Sequence, residues 1–214
     1  MSLYTPKPFA ATDRVAVARL MHDYPFATLI TPGAIEPAVS HVPLLFIAGS
    51  EPHGMLIGHV ARANPHWQQA AQGDSVALFH GPHAYVSPTW YEHPARMVPT
   101  WNYAAVHAHG PLELIDDPED KRRVLDALAH RFENGRPAPW HFGMPPRERD
   151  AMVGAIVAFR MRIKRLEAKF KLSQNRSDED RARVVDGLRA EEHPDATATA
   201  EWMLAYANAR RRPA

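Results

Sequence analysis

The chain has no cysteine among its 214 residues. Disulfides, thiolate nucleophiles and cysteine-ligated zinc or iron–sulfur centres are therefore excluded. It also lacks an apolar run of about 18 residues, the length that reads as a membrane-spanning helix. The opening MSLYTPKPFAATDR has no basic start followed by an apolar stretch, so no secretory signal is expected and a cytoplasmic location is. Excess charge is missing too: 25 Lys and Arg stand against 24 Asp and Glu, a net charge of +1. A nucleic-acid binder usually shows a marked basic excess. HExxH, GxSxG, Walker-type and GxGxxG patterns do not occur, which removes support from metalloprotease, serine-hydrolase, P-loop and Rossmann readings.

What is present describes an ordinary soluble domain, with 45% hydrophobic and 23% charged residues. A chain of this length buries about 70% of its unfolded surface and needs no staples. Proline, at 20 residues, is close to double the usual share of about 5%, so many short, firmly punctuated elements are expected. The 13 histidines leave the neutral-pH charge balance a poor guide in acid.

Up to about residue 115 the pattern is one of strands broken by Pro and Gly; helical patterns dominate afterwards. Thr12 and Asp13 cap a first helix that ends before Tyr24-Pro25. Strands are expected over Phe26–Thr31, Ala38–Ala48 and Gly54–Val60, with Pro43 marking an edge or a bulge. Asn64 at the cap and Pro65 at the first helical position start a helix that stops at Gly73. Ser75–His80 and Ala84–Ser87 read as a hairpin turning at Gly81-Pro82, and Val98–Ile115 as one long strand. Asp117-Pro118 opens a helix, and a short helix after Arg147 runs into a strand whose apolar phase slips between Ile163 and Leu166, as at a bulge. Ser177 and Asp180 form a capping box, and a last helix over about 195–211 carries Trp202 and Tyr206 on one face. Short sequential strands with few crossover helices argue for a mainly β, α+β architecture built on an antiparallel barrel.

Three stretches could carry chemistry. At Arg62–Asn64 a strand gives way at once to a capped helix, whose free N–H groups and dipole beside a guanidinium suit a phosphate; an ordinary capped helix with a surface arginine has the same sequence. Ser87-Pro88-Thr89-Trp90-Tyr91 and Val98-Pro99-Thr100-Trp101-Asn102-Tyr103 join flat apolar faces to oriented polar groups, as a planar heteroaromatic ligand requires; a barrel core with satisfied polar tips is the alternative. Lys171-Leu172-Ser173-Gln174-Asn175-Arg176 follows a basic strand and is either an anion seat or a solvated face. His107 and His109 share a strand face, but no tight metal signature accompanies them and no metal is expected.

Taken in order, these segments resemble the PaiB-like family of FMN-binding negative transcriptional regulators. The resemblance runs from Tyr4-Thr5-Pro6 through His41-Val42-Pro43, Gly58-His59-Val60-Ala61-Arg62-Ala63-Asn64-Pro65, Phe79-His80-Gly81-Pro82 and the two aromatic stretches to Lys171-Leu172-Ser173-Gln174-Asn175. It implies an FMN-binding antiparallel split β-barrel with flanking helices, similar to pyridoxamine-phosphate-oxidase-like flavoproteins, over residues 1–190, with a C-terminal helical extension over 191–214. It also implies a homodimer with flavin at the subunit interface. Under it, His59, Arg62 and Asn64, with the phosphate at Arg62–Asn64, join Ser87, Trp90, Thr100, Trp101, Asn102, Lys171, Ser173, Gln174 and Asn175 as candidate FMN contacts. DNA enters as a partner through the resemblance alone: Glu192-His193-Pro194 joins two helices and Arg210, Arg211 and Arg212 add charge, without a base-reading pattern. A flavin-dependent reductase or oxidase acting on a small molecule is the alternative, and a barrel that binds no flavin is a third reading.

Overall fold

The side chain of Asp13 begins the first helix by accepting hydrogen bonds from the backbone N–H groups of Val15 (2.9 Å) and Ala16 (3.3 Å). Helix α1 spans Arg14–Asp23 in the computed structural model, which describes residues 3–49 and 52–211. Strands β1 (Phe26–Thr31) and β2 (Ala38–Pro43) then pair antiparallel, Phe26 opposite Pro43 and Thr31 opposite Ala38. The expected strand over 38–48 is interrupted at Leu44 and resumes as β3 (Leu45–Ile47). Strand β4 (Met55–Ala61) is followed by a helix over Pro65–Gln72 that Asn64 caps as expected, but with the tighter 3-10 winding.

The remaining elements are β5 (Ser75–Val86), β6 (Thr100–Gly110), β7 (Leu112–Ile115), α2 (Pro118–Glu133), α3 (Pro146–Gly154), β8 (Ile156–Arg162), β9 (Arg165–Lys171), α4 (Asp178–Ala190) and α5 (Pro194–Arg211). Asp117 and Ser177 cap α2 and α4. Two antiparallel-paired sheets result, ordered β2-β1-β5-β6-β9 and β3-β4-β8-β7. Pro43 lies in β2 at a sheet edge, where its missing N–H costs no ladder bond.

Three further expectations are corrected. The single strand expected over Val98–Ile115 breaks at Pro111 into β6 of the five-stranded sheet and β7 of the four-stranded one. Gly81-Pro82 does not turn: β5 runs straight through it as one strand. Glycine is needed there for close approach, since a Cβ would lie 2.9 Å from Leu20 Cδ1 and 3.1 Å from the Ala104 carbonyl oxygen. The phase slip between Ile163 and Leu166 is likewise no bulge; the chain leaves β8 in the four-stranded sheet and enters β9 in the five-stranded one.

The chain divides into two compact units: one comprises the N-terminal stretch to Tyr24, Phe79–His107 and the stretch from Glu167 onward, the other Pro25–Leu78 and Ala108–Leu166. In the first, Phe170 of β9 is fully buried and meets the Trp202 and Tyr206 rings edge-on at centroid distances of 5.7 and 5.1 Å, which docks α5. In the second, Val124 and Leu128 of α2 pack against Ala158, with Leu45, Ile57 and Ile115 around them. Among the described residues no helix is long and apolar enough to cross a membrane.

Candidate functional site

In the second unit, β4 and β8 pair from Met55↔Arg162 to Ala61↔Ile156, a register that delivers Arg62 to the C-terminal end of α3. The Arg62 backbone N–H donates to Ala155 O (2.8 Å), its Nε to Gly154 O (2.8 Å) and its Nη2 to Ile156 O (3.2 Å). The guanidinium thus serves carbonyls at a helix end, where positive charge also meets the negative pole of the dipole. Asn64 Oδ1 accepts from the His66 backbone N–H (3.0 Å) and its Nδ2 donates to Ser40 Oγ (3.0 Å), so the side chain takes up one of the helix N–H groups that a phosphate would use.

Behind Asn64 lies a chain of buried polar groups that the sequence did not disclose. His66, 2% exposed, has Nδ1 2.9 Å from Ser40 Oγ and Nε2 2.7 Å from Thr31 Oγ1, and Thr31 in turn lies 2.7 Å from Ser75 Oγ. Burial pulls the His66 imidazole below its ordinary pKa. His59, opposite Ala158, has a buried Nδ1 with no hydrogen-bond partner among the described residues, and burial lowers its pKa as well. Both rings are therefore held toward the neutral form.

In the first unit, the start of β6 and the end of β9 bring six of the candidate residues together. Lys171 Nζ donates to Thr100 Oγ1 and to the Trp101 carbonyl (2.6 Å). Asn102, 1% exposed, donates from Nδ2 to Ser173 Oγ (2.9 Å) and toward Met203 Sδ (3.4 Å). Ser173 holds φ of 60°, the left-handed region that a non-glycine residue enters at a cost, and its bonds to Asn102 help fix it there. Gln174 folds back on the same loop, accepting from the Leu172 N–H (2.7 Å) and donating to Phe170 O. Asn175, next in the chain, is exposed. Burial first, then Lys169 and Arg176, lower the pKa of Lys171.

Trp101 is 54% exposed and stands beside His83 and Tyr85 at ring distances of 6.3 and 6.2 Å. It lines a cavity of about 400 Å³ together with Leu3, His80, Gly81, His83, Tyr103, Ala104, Ala105 and His107. An exposed indole beside small residues suits a planar ring. Ser87 and Trp90 have structural partners of their own. Ser87 caps the turn Pro88–Trp90, accepting from the Thr89 N–H at 3.2 Å. Trp90 lies on α4 so closely that a Cβ at Gly187 would be 2.4 Å from its ring.

The fold class expected for the chain recurs in known proteins. The profile of the family described as "Putative FMN-binding domain" matches residues 3–165. The Bacillus subtilis "Protease synthase and sporulation protein PAI 2" is 33% identical over 204 residues, covering 94% of this chain and 96% of that one. Among solved structures, the FAD and heme binding protein from Mycobacterium smegmatis superposes with a TM-score of 0.58 at 21% identity, over 80% of this chain and 78% of that one. The flavocytochrome Anf3 from Azotobacter vinelandii gives 0.57 at 16% identity, over 81% and 75%. At such identities the structural likeness speaks for the fold: α+β, with an antiparallel split β-barrel and flanking helices.

Proposed function

The chain belongs to this FMN-binding domain family and its cofactor is FMN; on that premise we propose that it works as a homodimeric negative transcriptional regulator of the PaiB type. The observation that carries the reading is the 33% identity across 94% of the chain to a protein named for protease synthesis and sporulation. When bound, FMN supplies one- and two-electron redox chemistry.

Each of the two compact units, taken by itself, offers groups of a kind that such a ligand needs. The cavity beside Trp101 offers an exposed indole face, with Gly81, Ala104 and Ala105 among its lining residues, to an isoalloxazine ring. Where β6 begins and β9 ends, Thr100 and Asn175 supply polar groups, Asn102, Ser173 and Gln174 hold the loop in place through their own hydrogen bonds, and Ser87 and Trp90 form a turn that packs on α4. Arg62 is exposed and pinned by two carbonyls. A guanidinium has five N–H donors, so an anionic group can be met by those that the carbonyls do not use, with Asn64 and the neutral His59 on the same stretch of chain.

DNA contact through α4 finds little support in its charges: Arg181 pairs with Asp178, Arg183 with Glu92 and Asp180, and Arg189 with Glu201. The decisive experiment is a gel shift of the FMN-loaded protein on candidate operators across a salt series. Sequence preference that survives while affinity falls steeply with salt supports a regulator. Uniformly weak binding to every sequence would sink it.

One observation favours a second reading, a flavin-dependent reductase or oxidase. The cavity beside Trp101 is lined by His80, His83, His107 and Tyr103, groups that carry protons in redox reactions on small molecules. Anaerobic bleaching of the flavin by NADH or NADPH, reversed by air, separates that reading from the first.

A further inference from the structure

The end of β9 gathers Lys169, Lys171 and Arg176, while the one carboxylate of that strand, Glu167, lies with His107 and His109. Lys169 is 8% exposed; its Nζ donates to the Tyr4 carbonyl (2.9 Å) and lies over the Tyr4 and Tyr103 rings at 5.4 and 5.3 Å. Lys171, two residues on and therefore on the same strand face, bonds Thr100 Oγ1 and the Trp101 carbonyl and lies 6.0 Å from the Phe9 ring. The Arg176 guanidinium sits 5.3 Å over Tyr91. Every one of these partners is neutral. Among the described residues no carboxylate pairs with Lys169, Lys171 or Arg176, whereas several cations elsewhere are paired, as Arg122 is with Asp150, Lys164 with Asp74 and Arg189 with Glu201.

Withdrawing ammonium groups from water is costly, and carbonyls and aromatic faces offset that cost only in part. Three cations gathered at one strand end add mutual repulsion. An arrangement of this kind is stabilised by an anion that the chain itself does not supply.

We propose that the carboxyl end of β9 is an oxyanion seat in which Lys171 and Arg176, backed by Lys169, hold the phosphate of a phosphate monoester. The backbone carbonyl that orients Lys171 belongs to Trp101, which lines the ring-sized cavity, so a ligand with a planar ring and a phosphate finds both halves within one compact unit. The phosphate has two possible sources, that of FMN itself or that of a second phosphorylated small molecule; only the first rests on the flavin reading above.

The test is a titration of inorganic phosphate followed by phosphorus NMR, on the full chain with and without saturating FMN, for the natural protein, Lys171→Met and Lys171→Arg. Phosphate binds the flavin-free protein, Lys171→Met weakens it about tenfold or more, as loss of a charged hydrogen bond requires, and Lys171→Arg restores it to within about threefold. Phosphate excluded by FMN assigns the seat to the flavin's own phosphate; phosphate still bound beside FMN assigns it to a second ligand, and either supports the seat. Affinity unchanged within about twofold in Lys171→Met would overturn it. Failure of the chain to take up FMN would remove the flavin reading and leave the phosphate result standing. Should Lys171→Met not fold, as judged by its melting curve, Arg176→Met carries the same comparison.

Discussion

Arg62 bonds two carbonyls at a helix end, and the proposed contact with an anion can be tested apart from that role. Arg62→Ala removes the bonds to Gly154 and Ile156 carbonyls, which at an exposed site costs on the order of 1 kcal/mol of stability. FMN affinity should fall about tenfold with the dimer intact if the guanidinium also meets an anion. Fluorescence titration of FMN alongside a melting curve reads both effects, and unchanged FMN affinity would confine Arg62 to its helix end. His66 and His59 give a pH dependence of definite sign. Their folded-state pKa values lie below the ordinary imidazole value, so the unfolded chain binds protons more readily. Their contribution to stability is therefore complete above the unfolded value of about 6.5 and is lost as pH falls below it toward the lowered folded values. Melting temperatures between pH 7.5 and 5.5 should drop, and the drop should be shallower in a His59→Gln/His66→Gln variant; equal slopes would show that other groups govern the acid response. The local half of this site was legible: Asn64 announces its cap in the dipeptide Asn64-Pro65. The buried half was not, because His66 meets Ser40 and Thr31 across 26 and 35 residues of chain, and no spacing within a motif encodes such a meeting.

Elements were readable where a side chain acts on its own backbone. Asp13, Asp117 and Ser177 each accept hydrogen bonds from N–H groups two or three residues on, and each helix begins where its cap stands. Reading failed where a glycine answers to a distant neighbour. Gly81-Pro82 has the composition of a turn, yet Gly81 is in β5 to let the Ala104 carbonyl come near. Gly187 is another such case. Alanine is favoured over glycine by about 1 kcal/mol within a helix, but a Cβ at Gly187 would meet Trp90 at 2.4 Å. Gly187→Ala should therefore destabilise by about 1–3 kcal/mol in chemical denaturation, the usual result of overpacking. Pairing it with Trp90→Leu should recover part of the loss; a more stable single variant would show that the Trp90 ring moves aside at little cost.

At the scale of the whole molecule, the family and cofactor were legible because seven short segments stand in one order, although each is weak alone. The gathering of Thr100, Asn102, Lys171 and Ser173 was anticipated as membership of one site, but the bonds from Lys171 to Thr100 and from Asn102 to Ser173 needed the sheet that sets β6 beside β9. The homodimer expected for the chain is checked by light scattering during size exclusion: twice the chain mass at micromolar protein, with or without FMN, agrees with it, and a single-chain mass at that concentration contradicts it.

The division of the chain also bears on how the protein is made. One unit draws on the first 24 residues, on Phe79–His107 and on everything from Glu167 onward, while the other is complete by Leu166. On the ribosome, the stretch ending at Tyr24 must wait for the stretch beginning at Glu167 before their unit can close. Buried groups such as Leu20 and Met21 of α1 therefore gain their full set of neighbours late in synthesis, and a stop in the message before Glu167 would leave them without it.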